Sequence, residues 1–364
     1  MKSLFTLFLS LIYSFLNAQI ISSGYSHVLV KFNDSLICGW GSNLYGELGN
    51  RSIKSLYPFN FIKLQGVMKV VAGYNYSLAL KNDGTVWAWG SNYGGIFGQN
   101  NLKESSVPNQ IYGLTNVISI AGERNYFVAL KKDGTVWKWG YVRNEEEPSD
   151  TILSNVPVQI SILSDIISIE CGTMHSMALK SDGTVWTWGN NSFGALGWRS
   201  SQDTVPGQVE GISNVIAIAA GDLHSLALKN DGTVWAWRPF PFGSLGEYVM
   251  GNKPYYVNEL SNIISIAGGY DYSLALKKDG TVWSWGHNYN GQLGTGNYTD
   301  INHPLQVVGI SDIISISAKY IHSMATKKDG TIWEWGHDLN YLIDGDSRYS
   351  NNVPVLITMP TLKK

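Results

Sequence analysis

At 364 residues, with 26 Lys and Arg against 28 Asp and Glu, the chain is nearly neutral and lacks the basic excess that a nucleic-acid backbone attracts. Its 39 Gly, 14 Trp and 20 Tyr, with only 15% charged residues, exclude a disordered or helical-rod protein and describe a turn-rich fold with a large aromatic core. Two cysteines are too few for a disulfide framework.

Taken in chain order, the first segment, MKSLFTLFLSLIYSFLNAQ, places one Lys ahead of an apolar run and ends on small and polar residues. Residues 1–18 therefore read as a secretory signal peptide cut after Ala18, and the mature chain is expected to be secreted or periplasmic, without a membrane span. From residue 19 to 364 one motif, DGTVWxWG or a decayed form of it, recurs with its Asp at 34, 83, 133, 182, 231, 279 and 329. Prolines at 58, 108, 157, 206, 254, 304 and 354 follow the same spacing of 48 to 50 residues and are expected to open another strand. Two agreeing ladders of seven define a repeat of about 49 residues and a single repeat domain.

Each unit reads as four short strands, exemplified by NVIAIA (214–219), HSLALK (224–229), TVWAW (233–237) and the Pro-led VPVQI (156–160). The Lys-x-Asp-Gly between the second and third strands is a hairpin signal, with Asp-Gly expected to supply positive φ angles. Period two sets Trp87 and Trp89 on one face and Val86 and Ala88 on the other, so both faces of each sheet need cover. Seven such sheets satisfy that need as an all-β, seven-bladed β-propeller of four-stranded antiparallel blades.

The strings GDLHSLALKNDGTVWAW (221–237) and WGHNYNGQLGTG (285–296) resemble the repeat of the regulator of chromosome condensation family. The resemblance spans the mature chain and also implies a seven-bladed propeller. Three departures are local: YVRNEEEPSD (141–150) replaces the NxxGxLG segment in repeat three, Arg238 stands where Gly follows Trp, and repeat seven reads NYLIDG (340–345).

Seven residues before each motif Asp stand His27, Tyr76, Tyr126, His175, His224, Tyr272 and His322, which the repeat places in one ring. Because Tyr interrupts the series and each member belongs to a different blade, the ring is read as structural, bonding to neighbouring backbone and binding no metal. Glu123, His175 and His224 offer acid–base groups, but no nucleophile or cofactor motif accompanies them, so neither catalysis nor a cofactor is expected. Cys38 and Cys171 lie three repeats apart and are expected to be buried free thiols. The lysines before each Asp-Gly, Lys81, Lys131, Lys180, Lys229, Lys277 and Lys327, are balanced by the motif aspartates and read as a solvated face.

On the opposite end, the turn before the ring and the loop after Trp-Gly contribute Tyr25, Tyr74, Arg124, Tyr270 and Tyr320, with Tyr93 and Tyr289. Tyr combines apolar area with a hydroxyl at low entropic cost, which suits a recognition surface. The expected function is a secreted, monomeric binding module engaging a protein partner through this Tyr-rich face. The alternatives are a guanine-nucleotide-exchange-like activity implied by the family, a lyase or hydrolase with a site on one propeller face, and glycan binding.

Overall fold

Beta-branched and aromatic runs alternate with Gly, Asn and Asp turns along the whole chain, and in the computed structural model they pair as seven four-stranded antiparallel sheets. The structure describes residues 21–53, 59–98, 103–141, 152–191, 194–198, 205–238, 253–337 and 350–358. The signal-peptide reading of residues 1–18 lies outside them, and no described residue is helical. In the first blade the strands are Ile21–Ser23, His27–Asn33, Leu36–Gly41 and Asn60–Lys63, paired in that order. The other six repeat this plan, with inner strands Val67–Ala72, Val117–Glu123, Ile166–Cys171, Val215–Ala220, Ile263–Gly268 and Ile313–Lys319. Inner strands of successive blades neighbour one another, and the last neighbours the first, so they line a central axis.

Face assignment follows the period-two pattern. Leu78, Leu80, Val86 and Ala88 pack toward the third blade, whereas Ala79 and Trp89 pack toward the first. Seven apolar clusters thus fill seven inter-blade seams, and the second Trp of each repeat is fully enclosed. Every blade takes its four strands consecutively from the chain, so the ring closes by side-chain packing without strand exchange. At that seam Val28, Val30, Cys38 and Trp40 meet Met324, Ile332 and Ile357, and Ser23 Oγ lies 2.7 Å from His322 Nδ1. Cys38 and Cys171 are free and buried, and burial pushes both thiols up to about 12.

Three expectations are refined. In the Asp-Gly hairpins only the Gly takes positive φ, as at Gly84 (φ 75°), because three residues bridge Lys81 and Thr85 with Gly84 N bonded to Lys81 O. The motif Asp instead accepts from the backbone and hydroxyl of the Thr two residues on, as Asp83 does from Thr85 at 3.0 and 2.6 Å. Prolines do not open the outer strand in four blades: Pro108, Pro157, Pro304 and Pro354 lie inside it, where an unpaired edge tolerates a missing N–H. Finally, the Asp-Gly lysines do more than decorate the surface. The ammonium groups of Lys81, Lys131, Lys180, Lys229 and Lys277 sit 3.8–5.9 Å from the ring centroids of the first Trp of each motif, shielding its half-buried face.

Six inner strands carry a register shift at their second residue, which leaves Met68, Ile118, Ile167, Ile216, Ile264 and Ile314 unpaired at the axial edge. The five isoleucines are exposed there. A β-bulge turns a side chain out of the alternation, so these residues leave the two faces that strand periodicity sets.

Candidate functional site

At the end of the disc opposite the Asp-Gly hairpins, the inner strand turns into the second strand, and the residue at the turn faces the axis in every blade. Nine before the motif Asp, these residues are Tyr25, Tyr74, Arg124, Thr173, Asp222, Tyr270 and Tyr320. Backbone bonds knit the ring between blades: Tyr25 N donates to Gly73 O, Thr173 N to Asp222 O, Asp222 N to Gly269 O and Tyr270 N to Tyr320 O. Four consecutive members are tyrosines in contact, with ring centroids 4.3 Å apart for Tyr25–Tyr74, 4.5 Å for Tyr25–Tyr320 and 5.5 Å for Tyr270–Tyr320. Arg124 continues the arc, its guanidinium 5.9 Å from the Tyr74 ring. Burial, followed by the neighbouring Tyr25, raises the Tyr74 and Tyr320 hydroxyls above the usual phenol range, so they stay protonated donors.

One residue earlier the repeats hold Gly24, Gly73, Gly172, Gly221 and Gly269, with Glu123 and Lys319 as the exceptions. The glycines are required because the structural-ring side chain folds back over them. A Cβ on Gly269 would sit 1.9 Å from the Tyr272 ring, and one on Gly73 would sit 2.0 Å from that of Tyr76. Gly269→Ala is therefore expected to cost about 2–3 kcal/mol by overpacking, read as a lower urea midpoint with unchanged slope. An unchanged midpoint would show that the tyrosine ring is free to move aside.

Where Gly is absent, the side chains reach across the axis. Lys319 Nζ pairs with Glu123 Oε2, joining the seventh blade to the third through the centre of the molecule. Burial pulls the Lys319 ammonium down, but Glu123 and Asp222 hold it above the ordinary lysine range. Glu170, on the fourth inner strand, is raised by burial and lowered in turn by Lys69 and Lys319. Asp222 is 2% exposed, and burial followed by repulsion from Glu123 pushes its carboxyl up to about 7. The axial mouth is thus aromatic over blades six, seven, one and two, and polar over blades three to five, above a trans-axial ion pair.

Tyr93 and Tyr289 stand on the loops after Trp-Gly in the second and sixth blades and are the most exposed of the described tyrosines, with the Tyr289 ring 5.4 Å from that of His287. In the sixth blade His287 Nδ1 lies 3.1 Å from Asp300 and its Nε2 4.0 Å from Asp271, which also pairs with the fully buried Arg238. Arg238, a departure from the repeat, thus ties the fifth blade to the sixth. The other two departures fall chiefly at 142–151 and 338–349, outside the described residues.

Each member of the structural ring sits at the start of a second strand or, for His224, just before it, but the expected partner, neighbouring backbone, is mostly a serine of the next blade. His27, His175 and His224 place Nε2 at 2.8–2.9 Å from Ser77, Ser225 and Ser273. Ser77 and Ser225 spend their single proton on the carbonyls of Glu47 and Ala195, so His27 and His175 must donate from Nε2. Tyr272 alone follows the expectation, donating to His322 O. Where Phe127 replaces the serine, Tyr76 packs edge-on against its ring at 4.9 Å, and Tyr126 accepts from Trp188 at 2.7 Å. At the closing seam Val28 takes the serine position, and His322 turns to Ser23 and to the buried Glu334 of its own blade. Glu123, His175 and His224 are therefore committed to separate partners and form no common acid–base set. Among the described residues no three His, Cys, Asp or Glu side chains cluster as a metal site.

The RCC1-like domain model matches residues 9–246, and models of the regulator of chromosome condensation repeat match residues 279–326 and 263–292. No curated protein matches the sequence. Among solved structures, a chain in the complex of Kap60 with yeast RCC1 (Prp20) is 23% identical with a TM-score of 0.79, covering 94% of this chain and 86% of that one. Prp20p from Saccharomyces cerevisiae, studied with its binding properties to Gsp1p and histones, gives 23% and 0.78 over 97% and 90%. Human WBSCR16 gives 22% and 0.72 over 83% and 85%. At these identities the likeness is one of fold.

Proposed function

Because the chain belongs to the RCC1-like domain family, we propose that it acts as a secreted binding module whose Tyr-lined axial end engages a protein partner. The observation that carries this reading is the continuous arc Tyr74–Tyr25–Tyr320–Tyr270, extended by Arg124, in contact along its length and open to solvent on one side. Contact among the rings holds them in place, so little side-chain entropy is left to lose on binding, and Tyr and Arg are the residues that dominate interface energetics. Tyr93 and Tyr289, further out on the loops, widen the same end. The yeast protein's binding to Kap60, Gsp1p and histones supports a protein as the ligand class for a propeller of this family.

Capture of extracellular or periplasmic proteins with the mature chain, repeated with Tyr74→Ala, Tyr270→Ala and Tyr320→Ala combined, tests the reading. The wild type is expected to retain a partner that the triple variant loses by at least 100-fold in affinity. Retention of the same partner by a folded triple variant would remove this face from contention.

A further inference from the structure

Within the axial mouth one group is left electrostatically incomplete. Asp222 is a carboxyl enclosed to 2% exposure, yet among the described residues no cation forms an ion pair with it. Both cations near it are committed elsewhere, Lys319 to Glu123 across the axis and Arg124 to the face of Tyr74. Glu123 repels it more strongly than Lys319 or Arg124 attracts it. The adjacent ring member is Tyr270, whose backbone bonds to Tyr320, and Asp222 acts electrostatically on both phenols. A buried carboxyl without a direct ion pair beside an aromatic arc is the arrangement that draws a cation with an apolar stem, because the rings take the stem and the carboxylate takes the charge.

We propose that the axial mouth takes a cationic side chain, the ammonium or guanidinium of a lysine or arginine presented by the partner, with Asp222 as counter-ion and Tyr270 and Tyr320 along the stem. This rests on the protein-binding reading for its ligand class and adds the residue type that is read. Entry of the cation replaces the missing counter-charge of Asp222, so the carboxyl ionises as the complex forms. Arg124, two blades away, disfavours a second cation at the far side of the mouth and sets the orientation of the inserted side chain.

Titration of the full chain with N-acetyl-lysine methylamide and N-acetyl-arginine methylamide, followed by NMR, tests the proposal, with the norleucine and aspartate analogues as neutral and acidic probes. Both cationic probes are expected to bind, with at least tenfold weaker affinity for Asp222→Asn, which keeps the shape and removes the charge. Tyr320→Leu is expected to weaken them several-fold, and Lys132→Ala on the opposite face to leave them unchanged. Equal binding of the norleucine probe, preference for the aspartate probe, or an unaltered affinity in folded Asp222→Asn would overturn it. Cation binding without any Tyr-dependent protein capture would sink the protein-binding reading and leave the cation site standing. A Tyr-dependent partner captured equally by Asp222→Asn would do the reverse.

Discussion

Lys319→Met is expected to destabilise the propeller by about 3–5 kcal/mol at neutral pH, the loss typical of breaking a buried ion pair from one side. Removing the ammonium strands Glu123 and takes from Glu170 and Asp222 the positive charge that offsets their burial. The sign is testable by pH. Glu170 and Asp222 have folded pKa values above their unfolded ones, so their share of the penalty is absent while they are protonated and grows as pH rises through the carboxylate range. The variant should therefore recover toward wild-type stability on acidification to about pH 5, contrary to the trend of the parent protein. Glu123→Gln in the same background should restore much of the loss, since a neutral pair avoids the uncompensated charge. Urea unfolding of the two single variants and the double variant closes the cycle. Additive losses would mean that the two groups do not act on each other across the axis.

Acid unfolding driven by the structural ring is the second large effect. Burial lowers His27, His175 and His224 to about 3. Their Nδ1 atoms are enclosed without a hydrogen-bond partner, so a second proton there would be a buried, unpaired charge. For a histidine with a folded pKa below its unfolded value of 6.5, stability is fully present above that value and is lost as pH falls toward 3. Each site has a ceiling of about 4–5 kcal/mol by the cost of one pKa unit. Asp222 opposes them, because its raised carboxyl is favoured in the folded state as pH drops from about 7 toward 4. The three histidines, joined by the motif aspartates that their threonines hold below the usual carboxylate range, outweigh the raised Asp222, Glu47 and Glu170, and urea midpoints should fall steeply below pH 6. His175→Gln, which retains the donor to Ser225 without a titrating proton, should flatten that limb by about one proton. A slope unchanged by the substitution would place the acid sensitivity elsewhere.

Much of the architecture is legible in the chain because each repeat is a local unit: Asp-Gly at the hairpin, alternation in the strands, and a period near 49 specify blade and copy number together. The tyrosines at the turns are legible for the same reason, since equivalent positions in a repeat must converge on one end. Departures from the repeat are legible as positions but not as chemistry. Glu123 stands out against five glycines, yet its partner Lys319 is 196 residues away in a strand that strand periodicity alone treats as ordinary. The glycine column across all seven copies does carry a mark of the axial pair, two opposite charges three blades apart.

What the sequence by itself determined is the blade, its sevenfold repetition, a tryptophan-rich core and the tyrosine-bearing end, because these follow from spacings of two residues and of one repeat. Only the tertiary structure decided how the ring closes, which isoleucines the bulges turn outward, that serines answer the histidines, and that Asp222 is enclosed without a direct ion pair beside the tyrosines. Those depend on distances between blades and across the axis, where burial and charge add up over residues that no local pattern connects.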